Sequence, residues 1–187
     1  MYKLYYYEGV LMKEIFPASV LDALKTFEVR DDDVFTVTYP KSGTTWIRHI
    51  VSLIYGSTHL EAVDKISLRK RIPMMEYHPF HENEEPNYKL LEKADSPRLI
   101  STHLPVELLP PQILQKKPKI IYVARNPKDA AVSYHEFKAH GDWPWEEFVG
   151  NFLKGHGPFV NCSKSKLFLG EKMRRCNNSG NNTEKQL

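Results

Sequence analysis

One short segment carries most of the side chains that could bind an anion. It reads Tyr-Pro-Lys-Ser-Gly-Thr-Thr-Trp over 39–46, after a β-type run and before a helical pattern. Backbone N–H groups converge at such a turn, and the start of the helix adds partial positive charge. The turn contains one cation, three hydroxyl groups, and a glycine that lets the backbone approach a ligand closely. These residues are Lys41, Ser42, Gly43, Thr44 and Thr45. The pattern predicts a site for a phosphate or sulfate group.

The same segment differs from the nucleoside-triphosphate P-loop. That loop has the form Gly-x4-Gly-Lys-Ser/Thr, whereas here the lysine precedes a single glycine. The apolar run 118–124 also ends in Arg125, where a magnesium-binding aspartate would be expected. We therefore predict an anion site that needs no metal. Two alternatives stay open, a turn that only reverses the chain and an ATP- or GTP-using enzyme with an atypical loop.

A second anion-binding group follows the run 118–124. Arg125 has the planar fork that suits phosphate, and Ser133 lies about two helical turns further on. Asn126 and Pro127 have the residue types that begin a helix. The alternative is that Arg125 pairs with an acidic surface residue.

His103 directly follows another predicted strand, 98–102. With a pKa near neutrality, its imidazole would accept a proton from a hydroxyl or an amine. Taken alone, a histidine is more often a surface or core residue than a base.

These residues need a scaffold, and the hydrophobic pattern predicts one. Runs at 34–39, 98–102 and 118–124 have the composition of buried strands. Helical patterns occupy 17–27, the residues after Gly43, 87–93, the residues after Asn126, and a segment that begins at Pro144. Two buried faces are predicted: Ile47, Ile50, Val51 and Ile54, and then Trp145, Phe148, Val149, Phe152 and Leu153. The alternation predicts an α/β fold, a parallel sheet flanked by helices, with its ligands beyond the carboxyl ends of the strands.

Three segments together resemble the cytosolic sulfotransferase family: TYPKSGTTW, SPRLISTHLP and YVARNPKDAAVSY, within residues 10–155. The resemblance implies a P-loop-like turn that binds the cosubstrate 3′-phosphoadenosine 5′-phosphosulfate (PAPS). It implies that residues 41–45 hold the 5′-phosphosulfate, Trp46 stacks on adenine, and Arg125 and Ser133 hold the 3′-phosphate. It also implies that His103 is the catalytic base and that Lys41 stabilises the leaving group.

Residues 72–86 and the helix after Arg125 are predicted to form the part of the site that binds the acceptor molecule. By resemblance this region forms a wall for a small hydrophobic alcohol, phenol or amine, with Met74, Met75, Tyr77, Phe80 and Phe137 as candidates. Ordinary packing is the alternative for each of them. Acids and histidines in the same region are interpreted as a solvated loop and not as a metal site: His78, His81, Glu82, Glu84 and Glu85.

Length, charge and cysteine content limit the kinds of protein that this chain can be. The chain has 187 residues and a formal charge of +3, which predicts one domain and argues against a nucleic-acid partner. Its only cysteines are Cys162 and Cys176, so a reducing, cytoplasmic location is expected. Neither a secretory signal nor an apolar run of membrane-spanning length is found, so no membrane partner is expected.

The resemblance ends near His156. We expect a sulfotransferase domain at 1–156, incomplete at its C-terminus, and a divergent, disordered tail at 157–187. The family's second 3′-phosphate clamp and its homodimer motif have no counterpart, which is expected of a truncated or alternatively spliced form. Ser101 stands where many phenol-type members have lysine. The alternative to an active enzyme is therefore an inactive variant or pseudo-enzyme with weak nucleotide binding.

Overall fold

The computed structural model describes residues 3–56, 65–79, 84–137 and 143–153. The strands are β1 (Leu4–Tyr7), β2 (Val10–Lys13), β3 (Val34–Thr38), β4 (Leu99–Thr102) and β5 (Lys119–Val123). The helices are α1 (Ala18–Leu24), α2 (Thr44–Tyr55), α3 (Leu68–Arg71), α4 (Asn87–Lys93), α5 (Gln112–Lys116), α6 (Pro127–Glu136) and α7 (Trp145–Leu153). A short 3-10 helix covers Val106–Leu108.

Strands β3, β4 and β5 form a parallel sheet in the order β4-β3-β5. All five residues of the central strand β3 are buried, as expected of a strand with a neighbour on each side and helices on its faces. The register places Val37 opposite Thr102 and Thr38 opposite Val123. The three strands therefore end at one edge, and the residues that follow them meet there. This confirms the predicted α/β fold class.

The hairpin β1-β2 was not among the predicted elements. Its strands pair antiparallel, from Leu4 with Lys13 to Tyr7 with Val10. Glu8 and Gly9 connect them with positive φ angles of 46° and 79°, the conformation of a two-residue hairpin turn. The Glu-Gly pair between two apolar runs was the available signal.

The main core lies between this hairpin, α1, the sheet and the segment around Leu104. Its members are almost wholly buried: Val10, Met12, Phe16, Val20, Leu21, Leu24, Phe27, Val29, Phe35, Val37, Met75, Leu91, Ile100, Leu104, Leu108, Leu109 and Ile113. A second cluster, of Ala131, Tyr134 and Phe148, joins α6 to α7.

The predicted buried faces of α2 and α7 were partly wrong. Ile54 is 64% exposed, and the buried residues of α2 are Arg48, Val51 and Ser52. Arg48 can be buried because its guanidinium donates to the carbonyls of Leu68 and Ile72, which a pattern of apolar residues cannot anticipate. On α7, Phe148 is buried as predicted, while Trp145 and Leu153 are exposed.

A buried ion pair fixes the start of the sheet. Asp33 accepts two hydrogen bonds from Arg98, at 2.7 Å from Nε and 2.6 Å from Nη2. Both side chains are nearly inaccessible, and they precede the paired residues Val34 and Leu99. The planar fork thus joins the first residues of β3 and β4.

Several predictions concern residues outside the described ranges. These are Phe80, His81, Glu82, the two cysteines and the tail 157–187. Within the described ranges, no helix has the length and apolar character needed to cross a membrane.

Candidate functional site

A cavity of about 670 Å³ opens where the three parallel strands end. Strand β3 leads into the loop 39–43, β4 into His103, and β5 into Arg125. Most of the predicted site residues line its wall: Lys41, Gly43, Thr44, Thr45, Trp46, Met74, Tyr77, His103, Arg125, Ser133 and Phe137. The fold therefore brings together segments that are far apart in the chain.

The loop before α2 contains two residues with positive φ. Gly43 begins the helix with a φ of 102°, and Lys41 has a φ of 66°. No side chain caps the first turn of α2, so the helix start presents N–H groups and partial positive charge to a ligand. The Thr44 hydroxyl lies 2.7 Å from the hydroxyl of Thr38, which ties the loop to the end of β3.

The position of Ser42 differs from its predicted place in the anion-binding turn. It is only 6% exposed and does not line the cavity, and its backbone N–H donates to the Tyr39 carbonyl at 3.1 Å. The positive φ on both sides of it turns this residue inward, a backbone effect that residue type alone does not reveal. Trp46, by contrast, lines the cavity with 70% of its surface exposed, so its ring is accessible for stacking.

Arg125 and Lys41 contact each other across the loop. The Nη1 of Arg125 donates to the Lys41 carbonyl at 3.0 Å. The Nζ of Lys41 lies 4.2 Å from the centre of the Phe137 ring, a cation–π contact. These contacts hold both cations at the cavity wall.

The start of α6 follows the predicted capping pattern. Asn126 accepts a hydrogen bond from the Lys128 N–H at 3.0 Å, and Pro127 is the first helical residue. The cap fixes where α6 begins, and Ser133 of the same helix reaches the cavity.

His103 is fixed by the end of β3. Its Nδ1 lies 2.7 Å from the Thr38 carbonyl oxygen. Because a carbonyl can only accept, Nδ1 carries the proton, and the lone pair of the neutral ring is on Nε2. Burial lowers the pKa of His103 to about 4, and the nearby cations Arg48 and Lys13 add to the effect. The expectation of a near-neutral pKa was therefore wrong for this structure.

Glu76 belongs to the same arrangement, although the sequence pattern gave it no role. It is fully buried, and its Oε1 accepts the His103 backbone N–H at 2.7 Å. Burial raises its pKa to about 7, although the hydrogen bond from His103 opposes this shift. An acid inside the apolar run Ile72–Tyr77 was the available signal, since buried carboxyls need a specific reason.

The cavity wall is strongly cationic. Besides Lys41 and Arg125 it includes Lys13, Arg48 and Arg69, and none of its described residues is an aspartate or glutamate. Burial lowers the pKa of Lys13 to about 8 and that of Arg48 to about 10. Such a field favours a multiply charged anion.

Most of the remaining wall is apolar. Met74 and Tyr77 line it as predicted, together with Ile15 and Phe16 from the segment after β2. The Phe16 and Tyr77 rings meet edge to face with centres 6.5 Å apart. Met75 was a wall candidate but is a fully buried core residue. It lies inside the turn that the Tyr77 N–H closes on the Met74 carbonyl at 3.1 Å.

No group of three or more potential metal ligands occurs among the described residues. His78 instead contacts the Pro79 carbonyl through Nδ1. A larger cavity of about 1230 Å³ lies between α2, α3 and α4, and Tyr77 is its only predicted site residue among those described.

The chain is similar to known proteins over most of its length. A family described as "Sulfotransferase domain" matches residues 31–168. Sulfotransferase 1A1 of Bos taurus is 40% identical over 155 residues, which cover 80% of this chain and 52% of that protein. Sulfotransferase 1 family member D1 of Mus musculus is 42% identical over 151 residues, covering 76% and 50%.

A solved structure agrees with these matches. The mouse sulfotransferase SULT7A1 complexed with PAP is 29% identical with a TM-score of 0.71, and the alignment covers 90% of this chain and 57% of that one. The chain thus spans about half the length of the curated relatives that it matches.

Proposed function

Since this chain belongs to the sulfotransferase family, we propose that it transfers a sulfuryl group from PAPS to a hydroxyl or amine of a small hydrophobic acceptor. The observation that carries the proposal is one cavity that unites the 41–45 loop, Arg125 and His103 with no described carboxylate in its wall. The PAP complex of the mouse relative supports the choice of nucleotide.

The donor set fits the two anionic ends of PAPS. The N–H groups at the start of α2, with Lys41, Thr44 and Thr45, would hold the phosphosulfate. Arg125 and Ser133 would hold the 3′-phosphate, and the exposed ring of Trp46 would stack on adenine. When bound, PAPS supplies an activated sulfuryl group.

His103 would act on the acceptor. Its Nε2 accepts the proton of the acceptor hydroxyl or amine while the acceptor atom bonds to sulfur and the sulfur–oxygen bond to the nucleotide breaks. The products are the sulfated acceptor, 3′,5′-ADP and a protonated His103. The Thr38 carbonyl holds the Nδ1 proton and favours the imidazolium. The negative charge of bound PAPS would raise the pKa of His103 above about 4.

Lys41 would offset the charge that develops on the bridging oxygen of the leaving nucleotide. Its contact with the Phe137 ring places the ammonium at the cavity in advance. Positioning and fixed positive charge, supplied by protein groups, would then carry the reaction.

The test begins with the product nucleotide. We expect 3′,5′-ADP to bind the full chain with micromolar affinity by calorimetry, and Lys41→Ala or Arg125→Ala to weaken binding about tenfold or more. Lys116→Ala, on α5 outside the cavity wall, is the matched control. A folded protein that does not bind 3′,5′-ADP at millimolar concentration would refute the proposal.

Two further measurements separate the alternatives. Transfer from labelled PAPS to a panel of phenols, alcohols and amines distinguishes an active enzyme from an inactive nucleotide-binding variant. Tighter binding of ATP with magnesium than of 3′,5′-ADP would favour an ATP-using enzyme instead.

A further inference from the structure

Lys13 is a buried cation of the cavity wall that comes from the hairpin and not from the loops after β3 and β5. It ends β2, is 5% exposed, and lines the cavity together with His103. Its Nζ lies 5.5 Å from the centre of the Tyr134 ring, which belongs to the same wall. The sequence pattern gave this residue no role.

The position of Lys13 differs from that of the cations that would bind PAPS. Lys41 and Arg125 belong to the loops after β3 and β5, and they contact each other. Lys13 comes from the hairpin, and the residues after it, Ile15 and Phe16, continue the apolar wall towards Tyr77. A ligand against this wall would therefore have an ammonium beside its hydrophobic surface.

We propose that Lys13 selects acceptors that carry a carboxylate in addition to the hydroxyl or amine that receives the sulfuryl group. This inference rests on the proposed function, because it assigns the acceptor class of the same cavity. A carboxylate held by a desolvated ammonium gains a charge-assisted hydrogen bond, whereas an acceptor with its own cation is repelled. No described residue of the wall is acidic, so nothing described there would favour a cationic acceptor.

Three ligands of similar size and shape test the proposal. They are 4-hydroxyphenylacetate, 4-hydroxyphenylacetamide and tyramine, which differ in charge beside the same phenol. Each is titrated by calorimetry into the full chain saturated with 3′,5′-ADP, so that no turnover is required. We expect the carboxylate to bind about tenfold more tightly than the amide, and tyramine to bind most weakly.

Lys13→Met nearly keeps the length of the side chain and removes the charge, so the variant should fold. It should abolish the preference for the carboxylate over the amide, while Lys13→Arg should retain it. Lys89→Met removes an exposed lysine outside the cavity wall and should change nothing.

Equal affinity of the three ligands, no binding of 4-hydroxyphenylacetate, or an equal loss for all three in Lys13→Met would overturn the inference. A protein that binds 3′,5′-ADP but shows one of these results fails only the inference. A protein that does not bind 3′,5′-ADP fails the proposed function, and the inference falls with it.

Discussion

The carboxyl group of Glu76 accepts the backbone N–H of His103 at 2.7 Å while remaining fully buried. Two titratable residues of the cavity region are thus joined through one hydrogen bond, and burial shifts both of them towards their neutral forms. Their effects on stability cover overlapping pH ranges but have opposite signs.

Glu76→Gln should remove a loss of stability at higher pH. The pKa of Glu76 is about 7 in the folded state against 4.5 as the reference value, so the folded state keeps a proton that the unfolded state releases. Stability therefore falls as pH rises from 4.5 to 7. Between pH 5 and pH 8, we expect the variant to gain about 1–3 kcal/mol relative to the parent in urea unfolding. Glu92→Gln, at an exposed site, is the control, and a pH-independent difference would contradict this account.

His103→Gln should reduce the loss of stability in acid. The pKa of His103 is about 4 when folded against a reference of 6.5, so the unfolded state binds a proton first as pH falls. The parent loses stability between pH 6.5 and 4 for this reason, by about 1–3 kcal/mol. Unfolding of the variant over this range should lack that part of the loss. His49→Gln, exposed on α2, should behave as the parent does; an unchanged slope in His103→Gln would disprove the assignment.

Asp33→Asn should strongly destabilise the sheet. The change leaves the buried guanidinium of Arg98 without its charged partner, a type of loss that costs about 3–5 kcal/mol. Urea unfolding at pH 7 measures it. For comparison, Glu85→Gln removes an exposed partner of Lys93 and should cost less than about 1 kcal/mol. Similar costs for the two variants would mean that the buried pair has no special role.

Gly43→Ala should cost stability through the backbone alone. Gly43 has a φ of 102°, and a Cβ at this position would meet nothing within 4 Å. We expect a loss of about 1–2 kcal/mol. Gly150 offers the matched control, because it lies within α7 and also has open space where a Cβ would be. Gly150→Ala should stabilise the protein by about 0.5–1 kcal/mol. Thermal unfolding measures both variants, and a Gly43→Ala variant as stable as the parent would contradict the prediction.

Arg125→Lys should weaken 3′,5′-ADP binding about tenfold even though the charge is kept. The guanidinium holds the Lys41 carbonyl with Nη1 and still faces the cavity, which a single ammonium cannot do with the same geometry. Calorimetry compares the variant with the parent, and Lys128→Arg, an exposed position near the start of α6, serves as the control. Unaltered affinity in Arg125→Lys would show that charge alone matters.

The strands and the loops that follow them were predictable, because the residue types that indicate them are close together in the sequence. A β-branched run before Lys41 and an Asn-Pro pair after Arg125 each indicate their own conformation. Since parallel strands share one edge, the strand ends alone placed His103 near the 41–45 loop. That edge rule is why most of the predicted wall was found in a single cavity.

The burial of three polar residues could not be predicted, because it depends on contacts with residues that are distant in the chain. Arg48 is buried because two carbonyls some 20 residues away accept its hydrogen bonds. Glu76 is buried because an N–H 27 residues further along the chain meets it. Lys13 required the hairpin to be recognised first. Each is a polar residue whose burial is decided by tertiary contacts.

The walls of the cavity originate in separate parts of the chain. The loops after β3 and β5 supply Lys41 and Arg125, whereas Ile15 and Phe16 after the hairpin, with Met74, supply most of the apolar side. Substitutions in the hairpin can therefore alter which molecules fit without disturbing the hydrogen bonds of the loop. Such a division would allow mutation to change one side of the cavity while the other side keeps its shape and charge.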